Sequence, residues 1–235
     1  TTDAGIYLSE YMIYLSLIAI IYISFVAYAQ EDMKKLIAYS SVAHMGFVTL
    51  GIFLVFNLLD SNTSAAIIGL EGAMVQMISH GLISAALFFC IGIIYKHSKS
   101  RLLKDNYGVS KFMPIFSFMM IFFLMANSGL PGTSGFVGEF LVITSSLGSS
   151  FLFGLLAATS LLLSASYSLK MGKNVLFGDN LKNNQGYIEC SFNEKIVLAI
   201  LIIFILYLGI IPDYLFKIID QSVINIVESL SIGRI

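Results

Sequence analysis

Apolar stretches of membrane-spanning length follow one another along most of the chain. The predicted spans are residues 10–29, 36–56, 67–95, 112–147, 151–177 and 196–211. All but the last approach or exceed the ~20 residues that an α-helix needs to cross ~30 Å of hydrocarbon. Backbone polar groups in lipid need internal partners, which a helix provides within one segment. The pattern therefore predicts an all-α, polytopic membrane protein with six transmembrane helices.

The fourth apolar segment is too long and too irregular to be one helix. A single helix over residues 112–147 would be ~50 Å long. Its centre contains Pro131, which removes a helical hydrogen bond, flanked by Gly129, Gly132 and Gly135, which lower the cost of leaving helical geometry. We therefore predict two half-helices joined by unwound backbone near mid-membrane, where protein or a wet cavity must surround it.

The C-terminal tail has a different, amphipathic pattern. Pro212 ends the sixth span, and apolar residues then recur at near-helical spacing between polar ones over residues 213–230. The pattern predicts a helix on the membrane surface or against a partner. A frayed terminal helix without a role is the alternative. We thus divide the chain into a transmembrane bundle, residues 1–211, and a tail, residues 212–235.

Composition agrees with a membrane protein. The 235 residues are 57 % hydrophobic and 11 % charged, whereas soluble domains are nearer ~25 % charged. The sequence has no basic patch with interleaved aromatic residues, so it gives no indication of nucleic acid as a partner. Cys90 and Cys190 have neither the number nor the spacing of a disulfide framework or a metal site. Because the first residue is Thr1 rather than Met, we expect a trimmed, processed or incomplete N-terminus.

The cations follow alternate spans and so predict the orientation. Most of them follow the first and third predicted spans or surround the loop after the fifth, as Lys34, Lys35, Lys96, Lys99, Arg101, Lys104, Lys111, Lys173, Lys182 and Lys195, whereas the C-terminal tail on the opposite side has only Lys217 and Arg234. By the positive-inside rule these loops face the cytoplasm or the mitochondrial matrix, and both termini face the other side.

Two histidines and one carboxylate lie deep inside predicted spans. Glu139 follows the helix break, and His44 and His80 lie near the centres of the second and third spans. Intramembrane ionisable groups usually mark ion or proton routes, and imidazole has an unperturbed pKa of ~6.5, near working pH. We therefore predict a proton pathway through His44, His80 and Glu139. The alternative for each of these residues is a structural hydrogen bond between helices. A metal site is not indicated, because none of them has a second potential ligand at helical spacing.

Further polar side chains could extend this pathway. Candidates on the faces of the histidines and of the fifth span are Ser40, Ser41, Gln76, Ser84, Tyr167 and Lys170. Gln76, His80 and Ser84 form one stripe at i, i+4 and i+8, and residues 160, 164 and 168 of the fifth span form a serine stripe. Lys170 either extends to the positive side or acts as a charge partner.

Four motifs resemble the antiporter-like subunits of respiratory complex I. They are DMKKLIAYSSVAHMG at residues 32–46, GAMVQMISHGL at 72–82, LPGTSGFVGEF at 130–140 and ASYSL at 165–169. Glu139 makes the chain most similar to the subunit 4 (subunit M) branch, since the sister subunits 2 and 5 carry lysine at the corresponding position.

This resemblance implies part of a larger fold. The family has fourteen transmembrane helices in two inverted five-helix repeats, with broken seventh and twelfth helices. The present chain resembles helices nine to fourteen, that is, the second repeat, the last helix and its tail. The family's glutamate–lysine pair and central lysine belong to the first repeat and have no counterpart here. A separate chain is therefore expected to supply the first half.

The resemblance also implies a role. The chain would be the C-terminal half of a proton-translocating subunit of NADH:ubiquinone oxidoreductase, carrying the outlet-side half of a proton path. FMN, iron–sulfur clusters and ubiquinone would belong to the rest of the complex, with no cofactor on this chain. Expected partners are the sister subunits 2 and 5 and membrane lipids, in the mitochondrial inner membrane or a bacterial plasma membrane. The alternatives are a subunit of a multisubunit sodium/proton antiporter, or a scaffold with vestigial ionisable groups.

Overall fold

The computed structural model describes residues 2–177 and 187–232, and this part of the chain is helical. The α-helices are α1 Thr2–Ala29, α2 Met33–Leu58, α3 Thr63–Ser98, α4 Pro114–Asn127, α5 Ser134–Ser149, α6 Phe151–Gly172, α7 Phe192–Ile210 and α8 Asp213–Ile232. Two 3-10 turns, Leu103–Asp105 and Val109–Lys111, precede α4, and a π-helical turn, Lys173–Phe177, continues α6. The predicted all-α fold class is confirmed.

Five helical segments are long and apolar enough to cross a membrane: α1, α2, α3, α6 with its π-helical turn, and α7. The number becomes six when the bent pair formed by Leu103–Lys111 and Pro114–Asn127 is taken as one span. Several predicted starts were late, because α1 begins at Thr2 rather than at residue 10, and α2, α3 and α7 each begin three or four residues earlier than predicted. Ser191 and Glu194 form a capping box that begins α7 at Phe192 rather than at residue 196.

The fourth predicted span is discontinuous. Helix α4 ends at Asn127 and α5 begins at Ser134. Between them Gly129 and Gly132 have φ angles of 75° and 91°, which L-residues with side chains rarely adopt. Pro131 lies between the two glycines. Each half-helix is shorter than the bilayer core, at ~21 and ~24 Å.

Helix α3 is the centre of the bundle and packs against α2, α5 and α8. Helix α5 comes especially close, because a Cβ on Gly138 would lie only 2.8 Å from the backbone nitrogen and Cα of Gln76. Buried Phe47, Leu50 and Leu54 fill the space near α1, α2 and α5. A second cluster lies near α4 and α6, and both clusters hold the half-helices in place.

The loops after α1 and α3 meet at one end of the bundle. Met33 N donates to Arg101 O at 2.9 Å, and Leu103 N donates to Glu31 O at 2.8 Å. Ser110 of the same end donates to Leu176 O at 2.6 Å. The cationic segments after α1, α3 and α6 therefore gather at one end, as expected, although Lys182 lies outside the described residues. The membrane side that this end faces stays a prediction.

The tail forms the amphipathic helix α8. Ile219 and Val223 are buried in one apolar cluster with Val75 of α3. Ile218 and Ile226 are exposed instead. The apolar face of α8 is thus divided between a strip packed on the bundle and a strip that the described residues leave uncovered.

Candidate functional site

The carboxyl of Glu139 lies at the centre of a buried polar cluster. Glu139 is one turn into α5, after the break, and is only 2 % exposed. Its Oε1 lies 2.6 Å from Nδ1 of His44 on α2, which is 5 % exposed. The structure therefore joins two of the three predicted ionisable residues directly, although 95 residues separate them along the chain.

The second nitrogen of His44 faces Tyr167 of α6. The Tyr167 hydroxyl lies 3.1 Å from His44 Nε2 and is fully buried. With Nδ1–H donating to the Glu139 carboxylate, a neutral imidazole accepts from the Tyr167 hydroxyl at Nε2. A protonated imidazole reverses the latter bond and donates to the phenol oxygen. His44 can thus carry or release a proton without losing either partner.

His80 of α3 lies beside His44. The two ring centroids are 5.7 Å apart, and the ring planes are tilted by 37° to each other. The Ser84 hydroxyl contacts the His80 ring, at 3.0 Å from Nε2. The stripe predicted on α3 therefore lies along one continuous polar cluster that includes both histidines.

Gln76 completes the α3 stripe. Its Nε2 donates to Glu139 Oε1 at 3.3 Å. Its Oε1 and the second carboxyl oxygen of Glu139 are both buried and have no hydrogen-bond partner among the described residues. Buried acceptors without donors are costly. Such atoms indicate a place where a water or an exchangeable proton binds.

A small cavity lies within this cluster. His44, Gln76, His80, Asn127 and Glu139 are among its lining residues. Its volume is about 10 Å³, close to the space that one water molecule requires. The lining is polar on several sides, which is the condition for a buried water.

The remaining predicted residues lie in different places. Ser40 is fully buried and contacts Tyr167, although its hydroxyl also donates to Ile37 O at 2.9 Å. Ser41 donates to the same carbonyl at 3.0 Å. Lys170 lies at the end of α1, where its Nζ donates to the Gln30 carbonyl and sits over the Tyr28 ring.

Gly129, one of the predicted helix-break residues, lies beside the Glu139 carboxyl. A Cβ on Gly129 would lie 3.2 Å from Glu139 Oε2. Gly135 belongs to the first turn of α5 rather than to the unwound stretch, and a Cβ there would lie 2.9 Å from the Ala126 carbonyl. Gly129 therefore lets unwound backbone approach the carboxyl, whereas Gly135 lets the two half-helices approach each other.

Asn127 was not predicted as part of the site. It is 3 % exposed, contacts Tyr167 and donates to Ser168 Oγ at 3.2 Å. Its position as the last residue of α4 could have indicated it, because an asparagine at a membrane-depth helix end needs partners. Among the described residues, no group of three His, Cys, Asp or Glu side chains could hold a metal ion.

The sequence matches a known family model over residues 3–165, described as NADH:quinone oxidoreductase/Mrp antiporter, TM. NADH-quinone oxidoreductase subunit M of Rhodobacter capsulatus is 43 % identical over 94 % of the chain and 42 % of that protein. NADH-ubiquinone oxidoreductase chain 4 of Marchantia polymorpha is 41 % identical over 96 % of the chain and 44 % of that protein. The chain thus spans less than half the length of these relatives.

Two solved structures have the same fold. Respiratory complex I from Thermus thermophilus matches with a TM-score of 0.84 at 23 % identity, covering 97 % of this chain and 45 % of that one. The Mrp complex from Dietzia sp. also matches with a TM-score of 0.84, at 16 % identity, covering 97 % of this chain and 49 % of that one. The fold of this chain therefore occurs in both kinds of complex.

Proposed function

This chain belongs to the NADH:quinone oxidoreductase/Mrp antiporter transmembrane family, and we propose that it carries part of the proton path of a membrane-bound NADH:quinone oxidoreductase. The single observation behind the proposal is the buried 2.6 Å contact between His44 Nδ1 and Glu139 Oε1. Ionisable groups at membrane depth are costly and usually line proton or ion routes.

In this proposal Glu139 holds the exchangeable proton. Protons reach it through His80 and His44, whose rings are 5.7 Å apart, with one bridging water. Imidazole suits this relay because it takes up and releases a proton near neutral pH. Gln76 orients the Glu139 carboxyl, and Tyr167 orients the His44 ring. The backbone beside Gly129 lies against Glu139 Oε2, where unwound peptide groups and water can receive the proton.

The chain supplies the outlet-side half of the path. The relatives are more than twice as long as the aligned region, and we propose that the part of the subunit that precedes this region supplies the first half of the path. The assembled subunit contacts sister antiporter-like subunits 2 and 5. FMN, iron–sulfur clusters and ubiquinone belong to other subunits, and their redox energy arrives as charge shifts along the membrane arm. We place the cationic end on the matrix or cytoplasmic side of the mitochondrial inner or bacterial plasma membrane.

The central test is Glu139→Gln in the assembled complex. Glutamine keeps the size and an acceptor for Gln76 but removes the titratable group. We expect fewer protons pumped per electron in sealed vesicles, with NADH oxidation by an artificial acceptor unchanged. The matched control is Glu10→Gln, which neutralises an exposed carboxyl on α1. Equal pumping by wild type and Glu139→Gln would contradict the role of Glu139.

A sodium/proton antiporter subunit is the second candidate, supported by the fold match to the Mrp complex. It is distinguished by sodium-dependent pH changes in vesicles without NADH. A scaffold with vestigial ionisable groups predicts instead that neutral replacements at His44, His80 and Glu139 leave transport intact. Sequence identity near 40 % to oxidoreductase subunits favours the first proposal.

A further inference from the structure

A large groove on the bundle shares no lining residue with the Glu139 cavity, although Ser168 in its wall accepts a hydrogen bond from Asn127 of that cavity. Helices α1, α4 and α6 and the π-helical turn enclose its volume of about 930 Å³. Phe25, Tyr28, Leu169 and Phe177 line it and are each about half exposed or more. The groove therefore opens on the outside of the bundle, and neither its lysines nor its exposed rings belong to the proton path proposed above.

One end of the groove is cationic. Lys170 Nζ donates to the Tyr28 and Gln30 carbonyls at the end of α1, which uses two of its three ammonium protons. Lys173 is exposed at the start of the π-helical turn, and Asn174 follows it. Since no acidic side chain is among the described lining residues, this end presents two positive charges and at least one free donor.

The rest of the groove is largely apolar, with Ser166 and Ser168 as polar lining residues, and it has about the depth of one leaflet. Leu163 lies ten residues before Lys173 on α6, or ~15 Å along a helix axis. Met125 lies eleven residues after Pro114 on α4, or ~16 Å. Half of the hydrocarbon core is ~15 Å thick. The groove thus extends from its cationic end to about the bilayer midplane.

We propose that this groove binds one anionic phospholipid, with its phosphate at Lys170 and Lys173 and an acyl chain along Leu163 and Met125. Charge complementarity selects the occupant, because a basic pocket between transmembrane helices at the cationic end favours an anionic headgroup. The apolar part of the groove is one leaflet deep, which accommodates one acyl chain. A transmembrane helix of a neighbouring subunit would instead require a groove that continues through the second leaflet. This proposal is independent of the proton path.

The test uses the native complex, exchanged into vesicles that contain phosphatidylglycerol and phosphatidylcholine. Lipids that remain bound after gentle extraction are counted by native mass spectrometry. Lys173→Gln should lower the preference for phosphatidylglycerol about fivefold, the effect of one lysine near a headgroup. Leu163→Trp should fill the groove and lower retention of both lipids without changing its charge. Lys104→Gln, an exposed cation on the same end but outside the groove, should bind like wild type.

Two results would overturn the proposal. One is equal lipid retention in wild type, Lys173→Gln and Leu163→Trp. The other is a cross-link between the Leu163→Cys variant and a neighbouring polypeptide in the native complex, because the groove would then hold protein rather than lipid. Lys170→Gln is not the primary variant, since Lys170 also binds the carbonyls that end α1. Leu163→Trp keeps both lysines and so remains interpretable if Lys170→Gln fails to assemble.

Discussion

Helices α3 and α6 carry polar stripes of identical spacing, yet their side chains have different partners. On α3, Gln76 donates to Glu139 and Ser84 contacts His80, so the stripe meets groups that can titrate. On α6, Ser164 donates to the carbonyls of Ser128 and Leu161, so it binds backbone. The spacing alone therefore does not distinguish a proton relay from a scaffold. The partner across the helix interface does.

The serines of α6 support the helix break. Ser164 reaches the Ser128 carbonyl at 3.3 Å, just after α4 ends. Ser168 accepts from Asn127, the last residue of α4. Unwound backbone at membrane depth needs such partners because lipid offers none. The α6 stripe thus stabilises the geometry in which the α3 stripe can act.

The largest effect on proton transfer should come from His44→Gln, because His44 belongs to the cluster that the α3 stripe contacts. Glutamine can still bond to Glu139 and Tyr167 but cannot pass a proton, so we expect proton transfer through this subunit to slow on the order of a hundredfold. Stopped-flow pH measurements on sealed vesicles would record it. Tyr167→Phe, which removes one hydrogen bond and no relay group, should have a much smaller effect. Similar losses in both variants would make His44 a structural residue.

Gly138→Ala should have the next largest effect, because it separates α5 from the α3 stripe. The added Cβ would meet Gln76 Oε1 at 2.7 Å and Gln76 backbone at 2.8 Å. Overpacking of this kind destabilises by about 1–3 kcal/mol, which thermal unfolding of the purified complex would detect. Gly92→Ala is the matched control on α3, since nothing lies within 4 Å of its Cβ position. Equal stability of the two variants would show that the close approach is unimportant.

Much of the fold could be predicted from the sequence because the membrane makes hydropathy decisive. The helix break followed from Pro131 and its flanking glycines. The π-helical turn at Lys173–Phe177 was not predicted, since its residues also fit an ordinary helix end. The early start of α7 could have been predicted, because Ser191 and Glu194 have capping-box spacing.

The site was predictable in its residue types but not in its contacts. That His44 and Glu139 lie within apolar segments follows from their positions in the sequence alone. Their direct contact depends on how α2 meets α5, which spacing along one helix does not report. The partner of Lys170 also depends on how helices pack against each other. Its Nζ lies at the end of α1, where backbone carbonyls favour a cation.

Ser84→Ala and Ser168→Ala test the comparison directly, because they make the same chemical change on the two stripes. Ser84→Ala should alter the pH profile of proton transfer through His80, with unfolding changed little. Ser168→Ala should leave that profile unchanged and cost about 0.5–1.5 kcal/mol of stability, the value of one buried hydrogen bond. Parallel pH–rate profiles and thermal melts would measure both. The opposite assignment of effects would make α6 the relay and α3 the scaffold.

The smallest effect should come from Ser160→Ala. Ser160 is 4 % exposed, and its Oγ has no hydrogen-bond partner among the described residues. Alanine removes a buried polar atom that bonds to nothing in this part of the chain, so stability should stay within about 0.5 kcal/mol of wild type or rise slightly. Thermal unfolding beside Ser168→Ala would check this. A loss as large as that of Ser168→Ala would mean that Ser160 has a partner in the assembled complex, and that the stripe on α6 extends the polar cluster towards a neighbouring subunit.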